Sequence, residues 1–431
     1  MTNLRAGADP CPTLCRAPAA SITADDGRHR AHAQASGKVS LAKRAAAPAA
    51  LWTMASVVTA VFMLSNSPTP LYVHWQRQLG FSSGTLTVIF ALYIAGLLGT
   101  LLIAGRLSDR HGRKRVLVPG LFAALAACLL FAGATSVAML AAGRLLAGIA
   151  VGVIVSAGMA AVVDVGGDAH KALASLMASI AMVLGAGLGP LLAGGLAQWL
   201  AQPVVPIFAI EAIVLLAALG IVWRLPLHRP ATPGPARLSL PTVPPANRRQ
   251  VACGIATFGP GITATSFVLA LGPSLLSNLL GVRSPLLAGG MACAMFLTAT
   301  GVQFAVRRWP IRRIFAASAV ATVLSMAALA CAIHASLVPA LIASALLAGA
   351  GQGLGQLGGL TLIGLHVPGS HRAQANAVLN MGGYVPAGIL PVATGYLTDA
   401  VGLATGATSF ALVLTVTALA GGMWAARQAG G

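Results

Sequence analysis

Acidic residues are scarce here: eight in a chain of 431, against 27 lysines and arginines, and charged residues of all kinds make up only 8%. A soluble globular protein carries about 25%. A chain with so little charge cannot clothe itself for water, so a soluble enzyme or binding module is excluded and lipid is the expected solvent. Cysteine is scarce too, with six in all. Cys11 and Cys15 have no histidine or cysteine partners nearby, and Cys128, Cys253, Cys293 and Cys331 lie in apolar segments, where compact packing is the expected role. No disulfide framework follows. No metal-ligand spacing occurs, since His334, His366 and His371 are scattered near segment ends, and no G-x-x-x-x-G-K loop is present. Metal chemistry and direct ATP drive therefore lack their residues, and no cofactor is expected. A secretory leader pattern is missing, so the first apolar segment is expected to act as its own insertion signal.

What fills the chain is apolar: 57% hydrophobic residues and a mean hydropathy of +0.85. Only helices and closed barrels satisfy their backbone in lipid, and a barrel would show short strands of alternating polarity. Instead there are long runs without a charged residue, such as 78–105 and 172–210. A spanning helix needs about 20 such residues. The run 314–371 is too long for one span and holds two helices and a turn. Spans are expected at 51–73, 84–105, 116–134, 137–161, 172–198, 204–223, 251–275, 285–305, 314–335, 337–366, 374–397 and 403–425. The fold class is thus an all-α integral membrane protein of twelve transmembrane helices in two pseudo-symmetric six-helix bundles.

A net charge of +19 invites a nucleic-acid reading, but the placement of the bases opposes it. With the N-terminus in the cytoplasm, all of the 27 basic residues except Arg77, Arg283 and Arg144 fall on the cytoplasmic side. This is the positive-inside rule; it places both termini in the cytoplasm and the protein in the inner membrane. Residues 1–44 carry no apolar run and read as a disordered tail. Residues 224–250 are proline-rich and read as an extended linker between a first bundle at 45–223 and a second at 251–431. The halves echo each other at an offset of 201 residues. Leu145-Leu146-Ala147-Gly148 matches Leu346-Leu347-Ala348-Gly349, Gly152 matches Gly353, and Gly187 and Pro190 match Gly388 and Pro391. Such repeats are a signature of secondary transporters, whose substrate site lies near the midplane.

The strongest local signal is Gly105-Arg106-Leu107-Ser108-Asp109-Arg110-His111-Gly112-Arg113-Lys114-Arg115, in the turn between helices 2 and 3. It resembles the signature loop of the major facilitator superfamily, G-x-x-x-D-R-x-G-R-[KR]. The resemblance implies a cytoplasmic gate in which Asp109 latches against helix 11, with Gly105, Arg110, Gly112 and Arg113 as its setting. Asp109 is a lone acid among bases and can pair with Arg113 across one helical turn. A purely topogenic loop would explain the bases but neither the acid nor the glycines. The matching loop, Arg307 to Arg313, keeps bases and lacks the acid, so the gate is expected to be asymmetric.

Helix 5 carries Gly185-Ala186-Gly187-Leu188-Gly189-Pro190-Leu191-Leu192-Ala193-Gly194. It resembles the antiporter motif of superfamily exporters through Gly185, Gly189, Pro190 and Gly194, with Ala193 where a glycine is expected. Small residues let helices approach and proline bends them. Arg144 is the only base deep within a span. A charge there costs on the order of 3 kcal/mol and points to function, although it lies close enough to a helix end for snorkelling. It resembles the helix 4 arginine of proton-coupled exporters. Glu211 is the only acid well inside a span, and a carboxyl withdrawn from water is a proton-carrier candidate or else a hydrogen-bonded structural group. Asp164 reads as a solvated helix-end charge. Asn66, in the broken helix end Ser65 to Tyr72, together with Gln352, Gln356, Asn376, Asn380 and Tyr384, are candidates to line a substrate path. A second break is expected at Phe258-Gly259-Pro260-Gly261, because irregular backbone at membrane depth is tolerated along a cavity.

These features point to a secondary transporter that expels a small molecule in exchange for protons by alternating access. An uptake permease of the same fold is the alternative; a membrane-embedded enzyme or a channel fits less well. The expected partners are a small-molecule substrate, protons and the lipid bilayer, with no nucleic acid, and a monomer would suffice.

Overall fold

In lipid a backbone amide finds its partner in another backbone group, so apolar runs of this length coil into self-satisfied helices. The computed structural model describes residues 49–167, 170–225 and 241–428, apart from the side chains of Asp109 and Ser370. The expected tail at 1–44, with Cys11 and Cys15, and most of the expected linker lie outside the described residues. Among the described residues, twelve helices are long and apolar enough to cross a membrane: α1 Ala49–Leu79, α2 Ser83–Ser108, α3 Arg113–Ala132, α4 Val137–Gly166, α5 Lys171–Trp199, α6 Val204–Arg224, α7 Pro245–Leu279, α8 Pro285–Val306, α9 Ile311–His334, α10 Val338–His366, α11 His371–Val401 and α12 Leu403–Gln428. No strand occurs among the described residues. The main departures from the sequence reading are that α1 continues to Leu79 and that α7 starts at Pro245, six residues before the predicted 251.

Local chemistry accounts for the helix ends. Ser82, Ser136 and Ser284 precede α2, α4 and α8, and each hydroxyl accepts from a backbone N–H three residues on, at 3.2, 3.3 and 3.2 Å. These bonds engage donors that a helix start leaves unpaired. In α1, Pro68 and Pro70 cannot donate to the ladder, and the chain passes through a 3-10 turn at Thr69–Leu71 before resuming as helix at Tyr72. The break expected around Pro260 is absent: α7 is α-helical from Arg248 to Ser274 and loosens only afterwards, in a π turn at Leu275–Leu279. Packing is the reason. A methyl group on Gly261 would collide with the backbone of Gly351 and Gln352 in α10, so Gly261 serves close approach and α10 splints the segment.

Within the halves α2 lies on α4 and α8 on α10; between them α5 packs on α8 and α11 on α2. The glycines matched at the 201-residue offset occupy equivalent places. Gly148 and Gly152 of α4 press on the α2 backbone at Tyr93 and Leu97, and Gly349 and Gly353 of α10 press on the α8 backbone at Met295 and Ala299. Gly194 of α5 meets Pro285 at the start of α8, and Gly395 of α11 meets Ser83 at the start of α2. The spans therefore form two pseudo-symmetric six-helix bundles joined along an α5–α8 seam and an α2–α11 seam. The arginine-bearing α2–α3 and α8–α9 turns mark one face, here the basic face. The α1–α2, α7–α8 and α11–α12 turns mark the far face.

Candidate functional site

On the basic face α2 continues as helix to His111, Gly112 turns the chain at φ 92° and ψ 151°, and α3 begins at Arg113. Side chains avoid that conformation, which explains the second glycine of the signature. Arg113 donates through Nε to Asp164 of α4 at 3.0 Å and through Nη1 to Ser108 at 2.9 Å. Lys114 donates to the carbonyl of Trp223 at the end of α6. The backbone of Asp109 is helical; the side chain that the latch requires lies outside the described residues. Asp164 does more than sit in solvent at a helix end: half-exposed, it ties α4 to the start of α3. Gly105 and Arg106 line a cavity of about 390 Å³ together with Ser156, Asn376 and Asn380. Ser156 belongs to a π turn in α4, Ile154–Gly158. Arg110 is exposed at this face.

Arg144 does not snorkel: its side chain is 0% exposed. Nη1 donates to the carbonyl of Ser65 at 2.6 Å. The guanidinium carbon lies 5.5, 5.2 and 5.2 Å from the ring centres of Tyr72, Phe90 and Tyr93, within cation–π range. Nε and Nη2 are buried without a hydrogen-bond partner. Glu211 is equally buried. Its Oε1 accepts from the Ser67 hydroxyl at 2.6 Å, and Oε2 has no partner. Trp75, Phe131 and Phe208 stack one turn away, with ring centres 5.1 to 6.1 Å apart. Arg144 and Glu211 thus both hold the short segment of α1 from Ser65 to Ser67, just before its 3-10 turn. Asn66 lies between their two anchor points and donates to the Ser65 hydroxyl at 3.0 Å.

The path candidates separate. Asn376 and Asn380 of α11 share the basic-face cavity. Tyr384, further along α11, meets Phe258 edge-on at 6.2 Å and adjoins Tyr93. Gln352 and Gln356 of α10 are half-buried and do not line that cavity; the buried Oε1 of Gln352 and Oδ1 of Asn376 lack partners. The sequence reading missed Tyr72, Phe90 and Tyr93. A signal for the tyrosines existed: the chain has only four, and Tyr72 and Tyr93 lie against Arg144, with Tyr384 beside Tyr93.

The α5 motif is a packing surface on two sides. Gly185 presses on Thr59 and Phe62 of α1, Gly189 on Met63 of α1, and Gly194 on Pro285 of α8, while the Pro190 carbonyl nestles against Gly289 of α8. Ala193, the departure from the motif, is completely buried, so the seam accommodates its methyl group. At the far face hydrogen bonds bridge the bundles. Arg77 donates to Ser277 at 3.0 Å, Ser274 to Gln76 at 3.1 Å and Ser284 to Gln198 at 3.0 Å. Asp399, near the end of α11, accepts from the backbone N–H groups of Ser83 and Gly84 at 2.9 and 2.8 Å, the favoured place for an anion at a helix start. A cavity of about 300 Å³ on this face is lined by His74, Arg77 and Arg283 among others.

Comparison with known proteins agrees with this geometry. The sequence profile of the Major Facilitator Superfamily matches residues 53–332 and 302–429. The multidrug resistance protein MdtL of Klebsiella pneumoniae (strain 342) is 38% identical over 76 residues, 18% of this chain and 19% of that protein. The multidrug efflux protein YfmO of Bacillus subtilis (strain 168) is 28% identical over 189 residues, 43% of this chain and 46% of that protein. The chain thus aligns with less than half the length of these relatives. Among solved structures, a POT family transporter in complex with 5-aminolevulinic acid superposes with a TM-score of 0.70 at 14% identity, over 86% of this chain and 94% of that one. A nucleoside transporter, NupG, superposes with a TM-score of 0.67 at 14% identity, over 88% and 98%.

Proposed function

The chain belongs to the Major Facilitator Superfamily, and from that premise we propose that it is a secondary active transporter expelling a small molecule in exchange for protons. The observation that carries the direction of transport is the α5 motif, whose glycines seat α5 on α1 and on α8 of the opposite bundle. The names of the multidrug relatives support the same direction. Alternating access is the mechanism: the far-face hydrogen bonds close one side while the basic-face cavity gives access from the other. The basic face is cytoplasmic, with both termini on that side of the inner membrane. The domains are a cytoplasmic tail at 1–44, bundles at 45–223 and 251–431, and the linker between them. A monomer performs the cycle.

Gly105, Asp109, Arg110, Gly112 and Arg113 form the cytoplasmic gate, and Asn66, Gln352, Gln356, Asn376, Asn380 and Tyr384 line the path. Glu211 takes up the driving proton. Protonation changes the Ser67 bond, and Ser67 is two residues from the carbonyl that anchors Arg144, so the proton and the central site act on one stretch of α1.

The test uses inside-out vesicles carrying the protein, energised to an acidic interior and challenged with antibiotics, dyes, sugars and amino acids while the interior pH is followed. Compound-dependent proton release that disappears in Asp109→Asn is the expected result. No release with any compound, alongside uptake of one of them by intact cells, would replace export with an uptake permease.

A further inference from the structure

Among the described residues, the buried positive charge of Arg144 has no counter-charge beside it. Arg144 is enclosed, and its contacts are one backbone carbonyl, the Tyr72 hydroxyl and the faces of three aromatic rings. The two nitrogens without partners are Nε and Nη2. They share one edge of the guanidinium plane, where two parallel N–H groups match the two oxygens of a carboxylate. Nη1, on the other edge, is engaged by Ser65. The structural carbonyl thus occupies one edge and leaves the bidentate edge unused.

Two independent observations bear on the charge of a ligand that would reach that edge. Among the described residues, the basic-face cavity is lined by Arg106 and neutral polar and apolar groups and by no acid. The far-face cavity is lined by His74, Arg77 and Arg283 and again by no acid. Glu211, the one acid well inside a span among the described residues, is buried and bonded to Ser67. Among the described residues that line the two cavities, a cation would meet arginine and histidine and no carboxylate; an anion would be drawn along. We infer that the transported molecule is an organic anion with a flat apolar body, its carboxylate or sulfonate held in two-point fashion by Nε and Nη2 of Arg144 and its body lying against Tyr93, Phe90 and Tyr384. This names the substrate class for the proposed transport function and takes from it only that a small molecule reaches the centre. Binding itself does not depend on export or on protons.

The full chain, purified in detergent, is titrated with benzoate, 2-naphthoate and 2-naphthalenesulfonate, and with benzamide and 2-naphthamide as neutral counterparts, by isothermal calorimetry and by the shift in unfolding temperature. Wild type binds at least one of the acids and neither amide. Arg144→Gln weakens that binding about ten- to a hundredfold, the loss expected of a charge-assisted pair. Arg144→Lys, which keeps the charge and loses the fork, falls between. The ligand-free unfolding temperature of each variant separates loss of the site from loss of the fold. Should Arg144→Gln unfold, Arg144→Lys alone decides: undiminished binding in it overturns the assignment. Acids and amides binding alike, no acid binding to wild type, or acid binding untouched by Arg144→Gln would each overturn it as well. Arg144-dependent acid binding without export in vesicles leaves the anion site standing and removes the efflux reading; export confined to neutral or cationic compounds does the reverse.

Discussion

At Glu211 a single hydrogen atom separates a structural role from a coupling role. Glu211→Gln keeps a side-chain oxygen for the Ser67 hydroxyl and removes the titratable group. The expected outcome is a protein that unfolds close to the wild-type temperature yet shows no substrate-driven proton release in acid-loaded vesicles. Glu211→Ala instead leaves a cavity in the core while the Ser67 hydroxyl keeps the Met63 carbonyl at 2.8 Å; the lost packing is seen as a lower unfolding temperature. Gly112 offers a purely conformational counterpart. At φ 92° an added Cβ is strained by about 1–3 kcal/mol, so Gly112→Ala lowers stability in thermal unfolding without touching the centre. Residues of this kind were legible to different degrees in the chain itself. Arg144 and Glu211 declared themselves, because a charge in an apolar run stands out whatever its surroundings. The ring cage of Tyr72, Phe90 and Tyr93 did not: in helices that are apolar all round, periodicity no longer tells which face is which. Asp164 was visible as an acid, but its partner Arg113 is brought to it by the α3–α4 packing, which leaves no trace in local sequence.

Among the elements, α5 gives the sharpest contrast. A Cβ on Gly189 would fall on the Met63 backbone of α1, whereas one on Gly195 meets open space. Gly189→Leu is expected to abolish transport and lower the yield of folded protein, and Gly195→Leu to leave both near wild type, as judged by vesicle assays and size-exclusion profiles. The helix count and most boundaries could be read from charge-free runs, since hydrophobic length is a direct requirement of the bilayer. The course of α7 could not. Glycine and proline at 258–261 carry the same letters whether a helix breaks or packs tightly, and only the neighbouring α10 decides between the two.

For the molecule as a whole, the proposed alternating access makes the far-face bonds the determinant of the balance between conformations. Asp399 accepts two backbone N–H bonds at the start of α2 across the seam, an arrangement worth about 0.3–1 kcal/mol at a helix terminus. Asp399→Asn therefore loosens the far face and shifts the population outward about two- to fivefold. The readout is labelling of Asn380→Cys by a membrane-impermeant maleimide in inside-out vesicles, with Cys11, Cys15, Cys293 and Cys331 replaced; its rate falls as the basic-face cavity closes.

The separation of Arg144 from Glu211 has an electrical consequence. Each stands without an opposite charge beside it, so the ions they handle do not cancel within the protein. A proton entering while a monovalent anion leaves carries two positive charges inward in effect, each worth about 2.3 kcal/mol per 100 mV of membrane potential. The exchange is then driven by voltage even when no pH difference exists. In proteoliposomes clamped by valinomycin and potassium, transport of an aromatic carboxylate should follow the imposed potential and stop when it is collapsed. A cell that maintains its potential while its cytoplasm and surroundings share one pH would still clear such acids.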